Sequence, residues 1–282
     1  MLGGGAINLG KLKYFLQICY ANLTLPLLKR RELIQYFLIT DIKLTYGNRI
    51  LGSLWAVLDP LMMMGVYTYL VVIVFNRGGP QFPILLFSAL LPWRWFTFAI
   101  SGSAKSLVSK ARLIQTVNFP RAALPLTRVL VGLVNYIWGL FALTPLLLIF
   151  HANLNINILW LPFLVFVQFI LTVGLSFTLA IIGVYFRDIN NILQFVLRLW
   201  FYLSPGLYDI NSLSIYQNYQ KYIVIYLIIN PFATLFESYK NILVRGEPPN
   251  SYILITFLIS IVVFLAGSCY FIKHEQNIVK EL

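Results

Sequence analysis

Long apolar runs recur along the sequence and constrain its fold more than any other feature. A helix that crosses a membrane needs about 20 consecutive, mostly apolar residues. Runs that meet or approach this length lie at residues 54–75, 82–100, 122–150, 158–186, 189–205 and 252–272. Hydrophobic residues make up 60% of the 282-residue chain and charged residues only 11%, far below the roughly 25% charged content of soluble domains. The sequence therefore predicts an all-α, polytopic membrane protein with six transmembrane helices.

The segment between the last two predicted spans, residues 207–251, has a different pattern. It contains two short apolar runs, 222–229 and 232–244, separated by Asn230 and Pro231. Apolar runs of about 10–14 residues are more typical of re-entrant or interfacial helices than of full crossings. We predict two short re-entrant helices before the last span, and one kinked additional span is the alternative.

The stretch ahead of the first span, residues 25–50, is amphipathic. Its apolar residues recur on one helical face: Ile34, Phe37, Leu38 and Ile42. Charged and polar side chains take the other positions, as in helices that lie in a membrane interface. We predict an interface helix that anchors the chain, and a contact with a soluble partner is the alternative role. Residues 1–282 then form a single transmembrane domain, with its six-helix part at 54–272.

The placement of Lys and Arg predicts the orientation. Basic residues concentrate in alternate segments between the spans, beginning with Lys11, Lys13 and the cluster at 29–31. Such asymmetry marks the cytoplasmic side, so we expect both termini in the cytoplasm of a cell-membrane protein. The excess of positive charge, +12, is too interrupted by apolar runs to indicate nucleic acid as a partner. Polar residues break the first apolar run and no small-residue cleavage site follows, so we expect no cleaved signal peptide.

Sequence motifs for chemistry are missing. Residues 5–11 fit the spacing of a phosphate-binding loop, but Leu12 stands where Ser or Thr must bind magnesium. Hydrolase and zinc-protease motifs are absent, and the two histidines, His151 and His274, cannot build a metal site by themselves. We therefore expect no catalytic site, no metal and no cofactor in this chain.

Four ionisable residues fall within the predicted spans: Asp59, Arg94, Arg128 and Arg198. Charges at this depth are costly and usually face the helix bundle or reach to its edge. We expect Asp59 and Arg128 to snorkel or to pair with another helix, because both lie near a cytoplasmic end. Arg94 and Arg198 lie deeper, where they face either a polar path or the packed bundle. An ion-coupled carrier is expected to bury more carboxylates than Asp59 alone.

Several short phrases follow one another in a characteristic order and spacing. They are Asp41-Ile-Lys-Leu-Thr-Tyr46, Leu51-Gly-Ser-Leu-Trp-Ala-Val-Leu-Asp-Pro60, Leu90-Leu-Pro-Trp93, Asn118-Phe-Pro-Arg121, Tyr185-Phe-Arg-Asp188, Tyr202-Leu-Ser-Pro205, Asn230-Pro231-Phe232 and Tyr270-Phe-Ile-Lys273. From about residue 30 onward, the chain thereby resembles the permease subunits of ABC-2 type exporters of polysaccharides and polyol phosphates. These exporters serve O-antigen, capsule and teichoic acid export. Asp59 departs from the pattern, since Gln is expected before that proline.

The resemblance implies a homodimer around a central channel, with one soluble nucleotide-binding ATPase subunit bound to each permease. ATP and Mg are then bound by the partner subunit. The implied cargo is a glycan attached to undecaprenyl pyrophosphate or a similar lipid. An ion-coupled secondary transporter and an intramembrane enzyme acting on lipid-linked sugars are the alternatives.

The cytoplasmic loop after the second span is a candidate coupling site. Apolar residues recur near helical spacing among basic ones, a pattern typical of a short helix that a soluble subunit can grip. The candidate ATPase-coupling residues are Lys105, Lys110, Arg112, Leu113, Ile114, Phe119 and Arg121.

Two further sets of residues are candidates for contact with the cargo. An anionic pyrophosphate needs cationic partners once it leaves water, and Arg30, Arg31 and Arg49 are the nearest basic residues to the inner mouth. Aromatic faces stack on sugar rings and let a glycan slide. The candidates for this glycan channel are Tyr67, Tyr69, Trp200 and Tyr202.

Overall fold

The computed structural model describes residues 25–47, 52–76, 78–186, 188–210 and 220–281, and within these ranges every regular element is a helix. In chain order the helices are α1 (Leu25–Lys29), α2 (Arg31–Tyr46), α3 (Trp55–Thr68), α4 (Phe82–Ser109), α5 (Ala111–Thr116), α6 (Ala123–Ile149), α7 (Leu161–Tyr185), α8 (Ile189–Leu203), α9 (Gln220–Ile229), α10 (Pro231–Lys240), α11 (Ile253–Glu275) and α12 (Ile278–Glu281). The predicted all-α fold is confirmed. Residues 1–24 and 48–51, which include Lys11, Lys13 and the end of the interface stretch, lie outside the described ranges.

Five helical segments are long and apolar enough to cross a membrane. They are Val57–Val74, Phe82–Ser109, Ala123–Ile149, Ile156–Tyr185 and Ile253–Glu275. Each coincides with a predicted span, which confirms the multi-pass membrane class. Helix α4 has 28 residues, which at 1.5 Å per residue is about 42 Å and exceeds a hydrocarbon core of about 30 Å.

The fifth predicted span appears as the shorter helix α8. It has 15 residues, or about 22 Å of length, and it ends immediately before Ser204 and Pro205, because proline cannot continue the helical hydrogen bonding. Leu193, Leu197 and Phe201 are its buried residues and recur at four-residue spacing on one face. The helix is therefore amphipathic, and a crossing at this position stays a prediction.

The two short apolar runs before the last span fold as separate helices, α9 and α10. They meet at an angle of 99°, and α10 continues into a π-helical turn, Asn241–Arg245. The Asn230 side chain accepts a hydrogen bond from the Phe232 backbone N–H at 3.1 Å and so begins α10. If the bent pair counts as one span, the described residues hold up to six. The sharp bend fits both the predicted re-entrant pair and the alternative of a broken span.

The core forms where α4 packs against α6 and α7, and where α7 packs against α11. Small residues allow these helices to approach closely, as is usual between membrane helices. A Cβ atom at Gly183 would collide with the Ala104 carbonyl of α4, and one at Gly267 would collide with the Gly174 carbonyl of α7. α2 packs on α6 and buries Phe37 and Asp41, so it is fastened to the bundle, and its position in a membrane interface stays a prediction.

Candidate functional site

A polar cavity of about 450 Å³ lies between α3, α4 and α8, and we call it the mid-span cavity. Its lining residues are Met63, Tyr67, Leu90, Trp93, Arg94, Thr97, Ser101, Gln194, Leu197, Arg198, Phe201 and Tyr202. On α8 the polar members Gln194, Arg198 and Tyr202 recur every four residues, so they share one face of the helix. The amphipathic pattern of α8 thus turns a polar face toward the cavity.

A second cavity, of about 650 Å³, lies between α3, α4 and α6 and is here called the inner cavity. Asp59, Lys105 and Arg128 line it, together with Tyr46 at the end of α2. Arg94 lines both cavities. On α4, Arg94 and Lys105 are eleven residues apart in sequence, which is close to three helical turns and places them on one face.

The charged residues predicted within the spans line these two cavities. The Arg94 guanidinium contacts the Asp59 carboxylate, and both side chains stay partly exposed, at 40% and 45%. Arg128 pairs with Asp41 of α2 at 3.5 Å. The structure therefore gives Asp59 and Arg128 interhelical partners. It also places Arg94 and Arg198 on a polar cavity, one of the two environments expected for them.

The four aromatic candidates for a glycan channel occupy different environments. Tyr67 and Tyr202 both line the mid-span cavity. Tyr69 lies two residues from Tyr67 on the same helical run, faces another direction, and is 56% exposed. The Trp200 indole N–H donates to the Asn230 side chain at 2.9 Å, and its ring packs edge-on against Phe232 at 5.3 Å. Trp200 therefore joins α8 to the start of α10.

The loop after α4 contains the predicted short helix, α5. Ile114 and Phe119 are buried, and the Phe119 ring packs edge-on against Phe37 of α2 at 5.7 Å. These two candidates therefore support the loop from inside. The side chains of Arg112 and Val117 are exposed and form the surface open to a partner.

The remaining coupling candidates hold the loop to other elements. Lys110 pairs with Asp41 at 3.1 Å, and Arg121 donates to the Glu275 carbonyl at the end of α11 at 2.6 Å. Leu113 is half-buried against the core. Lys105 belongs to α4 and lines the inner cavity instead of the loop surface.

Of the three arginines predicted to meet a pyrophosphate, two are described. Arg30 and Arg31 are exposed at the start of α2. Arg30 also donates to the Asn118 carbonyl at 2.7 Å, which ties the interface segment to the coupling loop. Arg49 lies outside the described residues.

Two charged clusters were not foreseen in the sequence. Asp41, only 2% exposed, accepts from both Lys110 and Arg128, whereas its sequence position suggested only the polar face of an amphipathic helix. Lys240, 1% exposed, pairs with Glu237 at 3.1 Å and donates to the Tyr208 carbonyl at 2.8 Å. The three-residue spacing of Glu237 and Lys240 on a short helix was the available signal for this second cluster.

The cluster around Lys240 joins α10 to the loop that follows α8. Arg245 extends it, pairing with Glu237 at 3.1 Å and with Asp209 at 2.7 Å. Burial raises the pKa of the Tyr208 phenol above its ordinary value of 10.0, so this hydroxyl stays protonated at neutral pH. It lies 3.1 Å from the Tyr226 hydroxyl of α9. The loop, α9 and α10 are thus fastened to one another.

The apolar helices and the cavities lined by cations and aromatics together define a polytopic membrane protein. Searches with family models found no match. The chain is 30% identical to the O-antigen export system permease protein RfbA of Myxococcus xanthus, over 89% of this chain and 98% of the relative. It is 26% identical to RfbA of Klebsiella pneumoniae, over 84% of this chain and 90% of that protein. It is 21% identical to the polysialic acid transport protein KpsM of Escherichia coli, over 76% of this chain and 81% of that protein. The chain therefore belongs to the family of ABC-2 type polysaccharide exporter permeases.

Proposed function

We propose that this chain is the membrane-spanning subunit of an ATP-driven exporter that moves a lipid-linked polysaccharide across the cytoplasmic membrane. The observation that carries the proposal is the 30% identity to an O-antigen export permease across nearly the whole of both chains. Similarity of this extent involves most of the chain and is not confined to one segment. The cargo class is an O-antigen, capsule or teichoic acid type of glycan on a polyprenyl pyrophosphate.

A separate ATPase subunit supplies the energy in this proposal. The exposed Arg112 and Val117 at α5 form the contact surface. Lys110 and Phe119 support that surface from behind, because they join it to α2 through Asp41 and Phe37. A movement of the loop is then passed to the interface helix and, through Arg128, to α6.

A homodimer is the proposed working unit. Gln194 and Arg198 are exposed on the polar face of α8, and polar side chains at membrane depth need a polar or aqueous neighbour. A second copy facing this surface would enclose a channel instead of leaving it against lipid. Tyr67 and Tyr202 would then form part of the glycan lane, whereas Tyr69, on another face of its helix, would meet the glycan only outside the mid-span cavity.

Loading of the cargo begins at the inner surface in this account. The exposed Arg30 and Arg31 attract the anionic head of the lipid, with Arg49 as a third candidate. Trp200 contributes indirectly, because its bond to Asn230 fixes the direction of the α8 face that carries Tyr202.

A deletion and complementation experiment tests this function. A strain that lacks the gene is expected to accumulate the lipid-linked glycan in the cytoplasm and to lose it from the surface, and the intact gene should restore surface glycan. Normal surface glycan in the deletion strain, with no redundant exporter, would contradict the proposal and favour a secondary transporter. Loss of glycan synthesis itself would favour an intramembrane enzyme.

A further inference from the structure

The inner and mid-span cavities share the lining residues Arg94, Thr97 and Ser101, so their polar linings meet along α4. Along α4 this lining contains Arg94, Thr97, Ser101 and Lys105, which we call the α4 stripe. Across the mid-span cavity it faces the α8 stripe, which consists of Gln194, Arg198 and Tyr202. Two polar stripes therefore face each other inside otherwise apolar helices.

Arg94 lies well away from both ends of α4, and Arg198 lies five residues before the end of α8. Arg94 is about 18 Å along α4 from Phe82, and Arg198 is about 14 Å along α8 from Ile189, at 1.5 Å per residue. Charged side chains at such depth are rare and mark the paths of substrates or ions. A purely structural role would need each charge to be paired within the protein.

The charges that line the two cavities do not balance. Arg94, Lys105, Arg128 and Arg198 are cationic, whereas Asp59 is the carboxylate among the described lining residues. Arg128 is also paired outside the cavities, with Asp41. The lining as a whole therefore favours an anionic occupant. Arginine is well suited to a phosphate, because its planar guanidinium can donate two parallel hydrogen bonds to phosphate oxygens.

We propose that the α4 and α8 stripes bind the phosphate groups of a lipid headgroup midway across the membrane. This inference rests on the proposed function, since it assigns the place where the cargo's pyrophosphate is held during transfer. Lys105 receives the headgroup from the inner side, and Arg94 and Arg198 hold it at mid-depth from opposite walls. The neutral hydroxyls of Thr97, Ser101 and Tyr202 are available for further hydrogen bonds.

Asp59 has a specific part in this arrangement. Its carboxylate pairs with Arg94, so the guanidinium has an anionic partner when no headgroup is bound. An arriving phosphate displaces the Asp59 carboxylate from the Arg94 guanidinium. When the phosphate leaves, Asp59 pairs with Arg94 again. Asp59 is thus an internal competitor that limits how tightly the headgroup is held.

Binding of a radiolabelled polyprenyl pyrophosphate to the full chain in nanodiscs of pure phosphatidylcholine tests the site. Replacing one charge-assisted contact costs about 1.5–3 kcal/mol, so Arg94→Gln and Arg198→Gln should each raise Kd roughly tenfold or more. Asp59→Asn should lower Kd, because the competitor is removed while a similar shape is kept. Lys273→Gln removes an exposed charge outside both cavities and is the matched control.

The arginine variants are expected to raise Kd, and the Asp59 variant is expected to lower it. These opposite changes distinguish a binding site from misfolding, because misfolding would weaken binding in every variant. Wild-type affinity in the Arg94→Gln/Arg198→Gln double variant, or equal binding of uncharged polyprenol, would overturn the proposal. Nanodiscs that contain phosphatidylglycerol separate the two sources of phosphate. We expect phosphatidylglycerol to compete little with the radiolabelled polyprenyl pyrophosphate. Full displacement of the radiolabelled lipid by phosphatidylglycerol would assign the site to ordinary lipid instead of cargo. Because binding is measured without transport, these outcomes are independent of whether the chain exports a glycan.

Discussion

The carboxylate of Asp41 lies 3.1 Å from the ammonium group of Lys110, although 69 residues separate them in the chain. This ion pair joins the interface helix α2 to the loop that carries α5. The Lys110 ammonium also lies 4.6 Å from the centre of the Phe37 ring. Helix α2 and the loop that carries α5, which is the predicted coupling site, are therefore one packed unit.

Replacing Asp41 with Ala should loosen that unit. Removing one partner of a buried ion pair typically costs about 3–5 kcal/mol, because the remaining charges are left unpaired. We expect a lower unfolding temperature and more ATP hydrolysed per glycan exported, measured with the ATPase subunit present. The exposed Glu32 on the same helix offers the control, Glu32→Gln, which should behave as wild type. An unchanged ratio of hydrolysis to export in Asp41→Ala would rule out this route of coupling.

The contact with the ATPase subunit can be tested on the exposed side of the loop. Val117 is 49% exposed, whereas Ile114 is 5% exposed. Val117→Asp should therefore block association with the ATPase and leave the fold intact, while Ile114→Asp should destabilise the chain by placing a charge in its core. Co-purification and thermal unfolding measure the two effects. The control variant Val117→Thr keeps the shape of the side chain and adds no charge, so it should still associate with the ATPase. Normal association of Val117→Asp would show that this loop is not the contact.

The cluster on the other side of the bundle makes a prediction about stability. Lys240 donates to the carbonyls of Pro205 and Tyr208 and pairs with Glu237. Lys240→Ala should lower the free energy of unfolding by about 1–3 kcal/mol, because two buried carbonyls lose their donor, while Glu237 keeps its pair with Arg245. The exposed Lys273 provides the control Lys273→Ala. Equal thermal unfolding of the two variants in detergent would show that the cluster contributes little to the fold.

Much of the fold follows from hydropathy. The last run was predicted at 252–272 and the helix is Ile253–Glu275, because a long apolar segment in lipid must satisfy its backbone as a helix. Helical period likewise predicts which residues share a face. It does not predict which neighbour that face meets, and so the separate environments of Trp200 and Tyr202 were not foreseen. Similarly, the sequence around Asp41 contains no sign of Lys110, because the pairing depends on how α2 packs on the bundle.

Orientation in the membrane stays a prediction from basic residues, and cysteine labelling tests it. Single cysteines at Lys11 and Lys280, in a background with Cys19 and Cys269 replaced by Ser, should resist an impermeant reagent added to intact cells. Permeabilised cells should be labelled at both positions, which serves as the control for reactivity. Efficient labelling of either position in intact cells would contradict a cytoplasmic location for that terminus.

The central claim, export driven by a partner ATPase, is tested most directly by transport into proteoliposomes. The purified chain is reconstituted with its ATPase subunit facing outward, and a lipid-linked glycan is supplied in the outer leaflet. We predict that ATP and Mg make the glycan inaccessible to an added glycosidase, and that the chain alone gives neither protection nor ATP hydrolysis. Protection that is independent of ATP, or that follows an imposed ion gradient in the absence of the ATPase, would contradict the account.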